Sequence, residues 1–178
     1  MQRALLIVFA CGAFSSHLAA GDAIVSGTTW VYVEKWEARR ADVAPGGYTS
    51  PAVVLHFCPN GQFTMLKCML YRHAQESTTI GSDDGLEIYY GTWSATSEGA
   101  AVTYHLADAE ITFTGYEAAK KRQIKASAKL SGDSLDMPII RLFPSPAKEF
   151  STSFQPKSKL PAPLQERFIN CDQHPEKT

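Results

Sequence analysis

Phe57-Cys58-Pro59-Asn60-Gly61-Gln62-Phe63 carries the sharpest local signal in the chain. Pro59 presets φ at the first loop position, Asn60 tolerates the second, and Gly61 accepts a left-handed third. That order suits a three-residue hairpin loop with a bulge at Gly61. The flanking runs, Ala52 to Cys58 and Gln62 to Tyr71, are rich in apolar residues and read as its two strands. Pairing Cys58 with Gln62 sets Leu55 opposite Met65, on the face away from His56 and Cys58.

Working outward, the same period of two recurs. Thr28 to Trp36 places Trp30, Tyr32 and Trp36 on one face, and Ala41 to Ser50, with Pro45-Gly46-Gly47, reads as a loop. Downstream come a polar loop at Arg72 to Gly85, a strand at Leu86 to Ala95 and a turn at Thr96 to Gly99. Strands are expected at Ala101 to Leu106, Glu110 to Tyr116 and Arg122 to Leu130. After the turn Ser131-Gly132-Asp133, Ser134 to Phe143 forms the last, and Pro138 predicts that it lies at an edge or carries a bulge. About eight short strands without a long helix predict an all-β, antiparallel up-and-down meander, a closed or partly open barrel.

The ends differ in character. Residues 1–20 read as a signal peptide: Arg3 supplies the positive region, Ala4 to Ala13 the apolar stretch, and Leu18-Ala19-Ala20 the cleavage site. The apolar stretch is about half the roughly twenty residues that cross a bilayer, so no transmembrane segment is expected in the mature chain. The expected location is secreted or periplasmic. Val8-Phe9-Ala10-Cys11 offers an alternative, lipidation at Cys11, but Phe9 fits a lipobox poorly. Residues 21–143 are assigned to the barrel. Residues 144–178 are a tail rich in Pro, Ser and Lys, with a short helix expected at Leu164 to Ile169 that docks through Leu164 and Phe168.

A net charge of −1 without a basic stripe argues against nucleic acid as a partner. Lys120, Lys121 and Arg122 read as a solvated turn. Cysteine arithmetic is more informative. The mature chain keeps Cys58, Cys68 and Cys171. In the hairpin register Cys58 and Cys68 stand roughly 20 Å apart, beyond the ~7 Å that a disulfide spans. The expected bridge therefore runs from Cys171 to a hairpin cysteine, with Cys58 preferred because it sits near a strand end.

His56, Cys58, Met65, Cys68, Met69 and His73 raise the idea of a copper site. There is no CxxC, HxxxH or Met-rich run, so no metal is expected. Asp83-Asp84-Gly85 lacks calcium-loop spacing. No nucleophile elbow or phosphate loop is present. His17 falls in the signal and His174 near the C-terminus, leaving His105, with Asp108 and Glu110 nearby, as the nearest approach to an acid–base pair. No catalytic residue or cofactor is assigned, and the chain is expected not to be an enzyme.

Aromatic residues dominate the strands: Trp30, Tyr32, Trp36, Tyr89, Tyr90, Trp93, Tyr104, Phe113 and Tyr116. Inward-facing aromatics of a barrel line a pocket for an apolar ligand or simply fill the core. The pocket candidates are Trp30, Tyr32, Trp93 and Tyr104.

Length, meander and a tail bridged to the barrel give a chain that resembles the lipocalin and calycin superfamily. Gly27-Thr28-Thr29-Trp30 sits where that superfamily carries Gly-x-Trp, with one residue more. Gly91-Thr92-Trp93 has its spacing, in a later strand. Arg141 is placed like the arginine that covers the tryptophan there. The resemblance implies an exported barrel that binds a small apolar ligand. The alternative is a non-enzymatic structural or interaction protein of the cell envelope, with a filled barrel and its function on loops 41–50 and 72–85.

Overall fold

The computed structural model describes residues 25–34, 37–38, 47–73, 79–80, 86–109, 114–141, 148–156 and 171. Residues 1–20, Trp36, Phe113 and Leu164 to Ile169 lie outside them. The described strands are β1 (Thr29–Val33), β2 (Glu37–Ala38), β3 (Gly47–Phe57), β4 (Gln62–His73), β5 (Thr79–Ile80), β6 (Glu87–Thr96), β7 (Gly99–Ala109), β8 (Ile124–Ser131), β9 (Ser134–Arg141) and β10 (Lys148–Pro156). One short helix, α1 (Tyr116–Lys120), joins β7 to β8.

The hairpin forms as read. Gly61 adopts φ +80°, the Cys58 N–H donates to the Gln62 carbonyl at 2.9 Å, and Leu55 pairs with Met65. β4 takes up one edge of β3 over nearly its full length. β1 and β2 must therefore share the other edge, β1 opposite Ala52 to His56 and β2 opposite Tyr48 and Thr49. They make one interrupted stave, and β5 and β6 do the same along β4. Every neighbour in the ring follows in chain order, until β10 pairs with β1 and closes it. The result is an antiparallel, up-and-down barrel of eight staves.

Four expectations are corrected. The chain from Pro144 does not leave the barrel at once, because Lys148–Pro156 is the closing stave. Thr152 and Phe154 alternate inward along it, opposite Met137 and Leu135. Of the expected strand Glu110 to Tyr116, residues 110–113 lie outside the described residues, Thr114 and Gly115 form a turn, and Tyr116 opens α1. The loop expected over Ala41 to Ser50 is shorter, since β3 begins at Gly47. Likewise Arg72 and His73 extend β4, and Thr79–Ile80 pairs with it.

Pro138 is not on an edge strand, because β9 pairs with both β8 and β10. The ladder to β8 ends at Asp136, however, so that flank of Pro138 carries no paired residue. Arg141 pairs with Lys148, whereas Trp30 pairs with Pro156. Eight positions along β10 separate the two by about 26 Å, so Arg141 is not placed to cover Trp30.

The two ends of the barrel are unlike. One carries the tight connections 58–61, 97–98 and 132–133, and the other the longer connections 39–46, 74–86, 110–123 and 142–147. Val25, fully buried, plugs the tight-turn end, held where Gly27 N–H donates to the Phe57 carbonyl at 2.7 Å. At the long-connection end Tyr116 of α1 packs against the interior cluster.

β3 is buried on both faces, which accounts for the unbroken apolar run Ala52 to Cys58. Leu55 and Phe57 point into the barrel. Ala52 and Val54 join Val31, Leu66, Cys68, Leu70 and Leu86 in a second buried cluster outside it.

Candidate functional site

The four aromatic candidates all turn inward, but the barrel divides them. Trp93 stands edge-on to Phe57 with ring centres 5.7 Å apart, and Phe57 meets Phe63 at 5.2 Å. The Trp93 indole N–H donates to the Cys58 carbonyl at 2.9 Å, and that of Trp30 to the Thr28 hydroxyl at 2.8 Å. These rings fill the tight-turn half, with their only polar atoms satisfied. Tyr104 lies above them, against Phe63 and Tyr89. Tyr32, half-buried, meets Phe154 from the long-connection half at 6.1 Å. One interior therefore holds all four, yet they do not gather into one patch.

Pairing defines a polar place among them. Tyr32 opposes Val53, Val53 opposes Lys67, and Lys67 opposes Glu87, one row across four strands. Lys67 shares the inward face of β4 with Phe63 and Met65, and Glu87 that of β6 with Tyr89 and Trp93. The Lys67 ammonium donates to Glu87 Oε2 at 3.3 Å and to the Tyr89 hydroxyl at 2.9 Å. It also lies 4.6 Å from the centre of the Tyr89 ring. The Tyr89 hydroxyl in turn donates to Glu87 Oε2.

Burial pushes the Tyr89 phenol well above its ordinary range, and the neighbouring Glu87 carboxylate adds to that. Tyr89 is thus a neutral donor at every physiological pH. The side chains of Lys67 and Glu87 are only 15% and 22% exposed, so the pair is poorly screened. On β10, Thr152 faces the same interior beside Phe154, and its buried hydroxyl oxygen has no hydrogen-bond partner among the described residues.

Sequence reading missed this trio, although its signal was present. In the hairpin register Phe63, Met65 and Lys67 fall on one face, and a lysine that continues an apolar face needs a partner. The Glu-x-Tyr of the next strand supplies two.

On the outer face Cys58 and Cys171 form the expected disulfide, with Cα atoms 5.8 Å apart. Cys68 is a buried free thiol, pushed up to about 12 by desolvation. Such a bridge suits an oxidising, non-cytoplasmic compartment. Among the described residues no helix is long and apolar enough to cross a membrane. His56, buried beside the bridge, has Nε2 3.4 Å from Cys171 Sγ and Nδ1 2.9 Å from the Thr29 hydroxyl. Burial lowers its pKa, so the ring is neutral near pH 7. The copper set considered from sequence is not assembled, because Met65 faces the interior and Cys68 pairs with Ala52 further along the strand. His105 is half-buried opposite Tyr90, while the Asp108 carboxylate accepts from the Tyr116 hydroxyl at 3.2 Å.

Compared with protein-family models, curated proteins and solved structures, the chain matches none. The likeness to lipocalins is therefore one of barrel architecture: eight antiparallel staves in meander order.

Proposed function

We propose that this protein is an exported binding module that takes a small, mainly apolar ligand into the long-connection half of its barrel. The observation that carries the reading is the row Tyr32–Val53–Lys67–Glu87. It sets a compact polar group into an apolar wall, as ligand sites do when a few polar atoms fix orientation. Leu106 and Ile139 line the same interior, and the Thr152 hydroxyl offers a further polar contact. Lys67 and Glu87 neutralise each other, so the site suits an uncharged or weakly polar head on an apolar body. The disulfide and the signal-like N-terminus support export.

A second reading, an envelope interaction protein with a filled barrel, draws on the aromatic packing of the tight-turn half. Tryptophan emission during titration with fatty acids, retinoids and tetrapyrroles separates the two. Saturable quenching by one class, weakened in Tyr32→Ala, supports binding. If no class changes the emission, the binding proposal is lost and the filled barrel stands.

A further inference from the structure

The corner where the tail meets the hairpin has donor chemistry that the disulfide conceals. A ring nitrogen of His56 and the two sulfurs of Cys58 and Cys171 all lie within 4.8 Å of one another. His56 and Cys58 are buried, while Cys171 is partly exposed and open to a reductant. The ring is oriented for ligation. With the ring proton on Nδ1, which lies 2.9 Å from the Thr29 hydroxyl, the Nε2 lone pair of His56 faces Cys171 Sγ. An outer hydrogen bond that fixes the tautomer in this way accompanies most metal-bound histidines.

Around a tetrahedral ion with bonds of about 2.3 Å to sulfur and 2.0–2.1 Å to nitrogen, ligand atoms stand roughly 3.6–3.8 Å apart. The present Nε2–Sγ separation of 3.4 Å is close to that spacing. The Asn60 amide, donating to the Cys171 carbonyl at 3.2 Å, ties the tail backbone to the hairpin independently of the bridge.

We propose that the reduced protein binds one thiophilic d¹⁰ divalent cation, of the zinc or cadmium kind, through His56, Cys58 and Cys171, so that the site is closed as a disulfide and opened by reduction. A dithiol reductant supplies the two electrons and two protons. It leaves as a cyclic disulfide, while the Cys58–Cys171 bond breaks to give two thiols. The cation then displaces both thiol protons and takes the neutral imidazole as third ligand, with a fourth position left to water. Sulfur and imidazole donors select such ions over magnesium or calcium.

The test uses the full chain carrying Cys11→Ser and Cys68→Ser, which leaves only the two thiols concerned. It is reduced with a phosphine under argon and titrated with Co²⁺, then Cd²⁺. The expected result is one Co²⁺ per chain, with a thiolate-to-cobalt band, the visible bands of a tetrahedral ion, and displacement by Cd²⁺. His56→Ala should weaken binding by at least about tenfold, and the oxidised protein should not bind. Near-ultraviolet circular dichroism follows the fold in every sample. Absence of the band, equal affinity in His56→Ala, binding by the oxidised form, or loss of the folded signal on reduction would each overturn the proposal.

Discussion

Replacing Lys67 by Met should destabilise the barrel more than replacing Lys67 and Glu87 together. Removing one partner of a fully buried ion pair costs about 3–5 kcal/mol, because the other charge stays behind uncompensated. Here the two side chains retain 15% and 22% exposure, so solvent moderates the penalty to about 2 kcal/mol. Lys67→Met leaves Glu87, among the described residues, with the Tyr89 hydroxyl, and Glu87→Met removes the carboxylate that Lys67 pairs with. The double variant removes both charges and extends the apolar face of Phe63 and Met65, so its cost should be below about 1 kcal/mol. The coupling in the cycle should then be of order 3–4 kcal/mol. Urea unfolding at pH 7.5, followed by tryptophan emission, measures all four proteins. Single variants that each cost under about 0.5 kcal/mol, or a double variant equal to their sum, would refute the inward placement of the pair.

Gly91 lies between Tyr89 and Trp93 on the inward face, where a Cβ would stand 2.0 Å from the Thr103 carbonyl oxygen and 2.6 Å from Tyr104 Cα. Gly91→Ala therefore has only backbone to push against and should cost about 3 kcal/mol or prevent folding, as thermal unfolding will register. Cys171→Ser opens a cross-link spanning 113 residues, for which loop entropy gives about 5 kcal/mol as an upper figure. Urea midpoints of the two proteins under oxidising conditions should differ accordingly. Cys68, raised from 9.0 to about 12, should be alkylated about a thousandfold more slowly at pH 8 in the folded protein than in urea. The sign of the linkage follows from the raised folded value. The Cys68 contribution is complete below pH 9 and is lost as pH rises toward 12, by about 1.4 kcal/mol at pH 10, a loss that Cys68→Ala should abolish in alkaline unfolding curves.

Much of the barrel was legible because side-chain alternation and turn chemistry agreed. The hairpin at Pro59-Asn60-Gly61 fixed its own register, and that register excluded one disulfide and favoured the correct one. The alternation of Ile124, Ala126, Ala128 and Leu130 survived intact in β8. What escaped was decided by closure. Lys148–Pro156 looked like a tail because Pro, Ser and Lys dominate its surroundings, and pairing with β9 on one side and β1 on the other makes Thr152 and Phe154 interior residues. Tyr116 looked like the end of a strand because its aromatic ring suits one, whereas Gly115 at φ +90° turns the chain into a helix instead. At the candidate site the aromatics were legible by type and the trio was not. Lys67, Glu87 and Tyr89 come together only when β4 and β6 are paired, although thirteen residues of largely unpatterned chain separate β4 from β6.

The most direct measurement is isotope-filtered NMR of the labelled protein with an unlabelled fatty acid, retinoid or tetrapyrrole that quenches its tryptophan emission. Intermolecular contacts from the ligand to the methyls of Val53, Leu106, Ile139 and Thr152 are predicted, since these face the barrel interior at the long-connection half. Contacts confined to Val54 and Leu66 on the outer face would contradict the account.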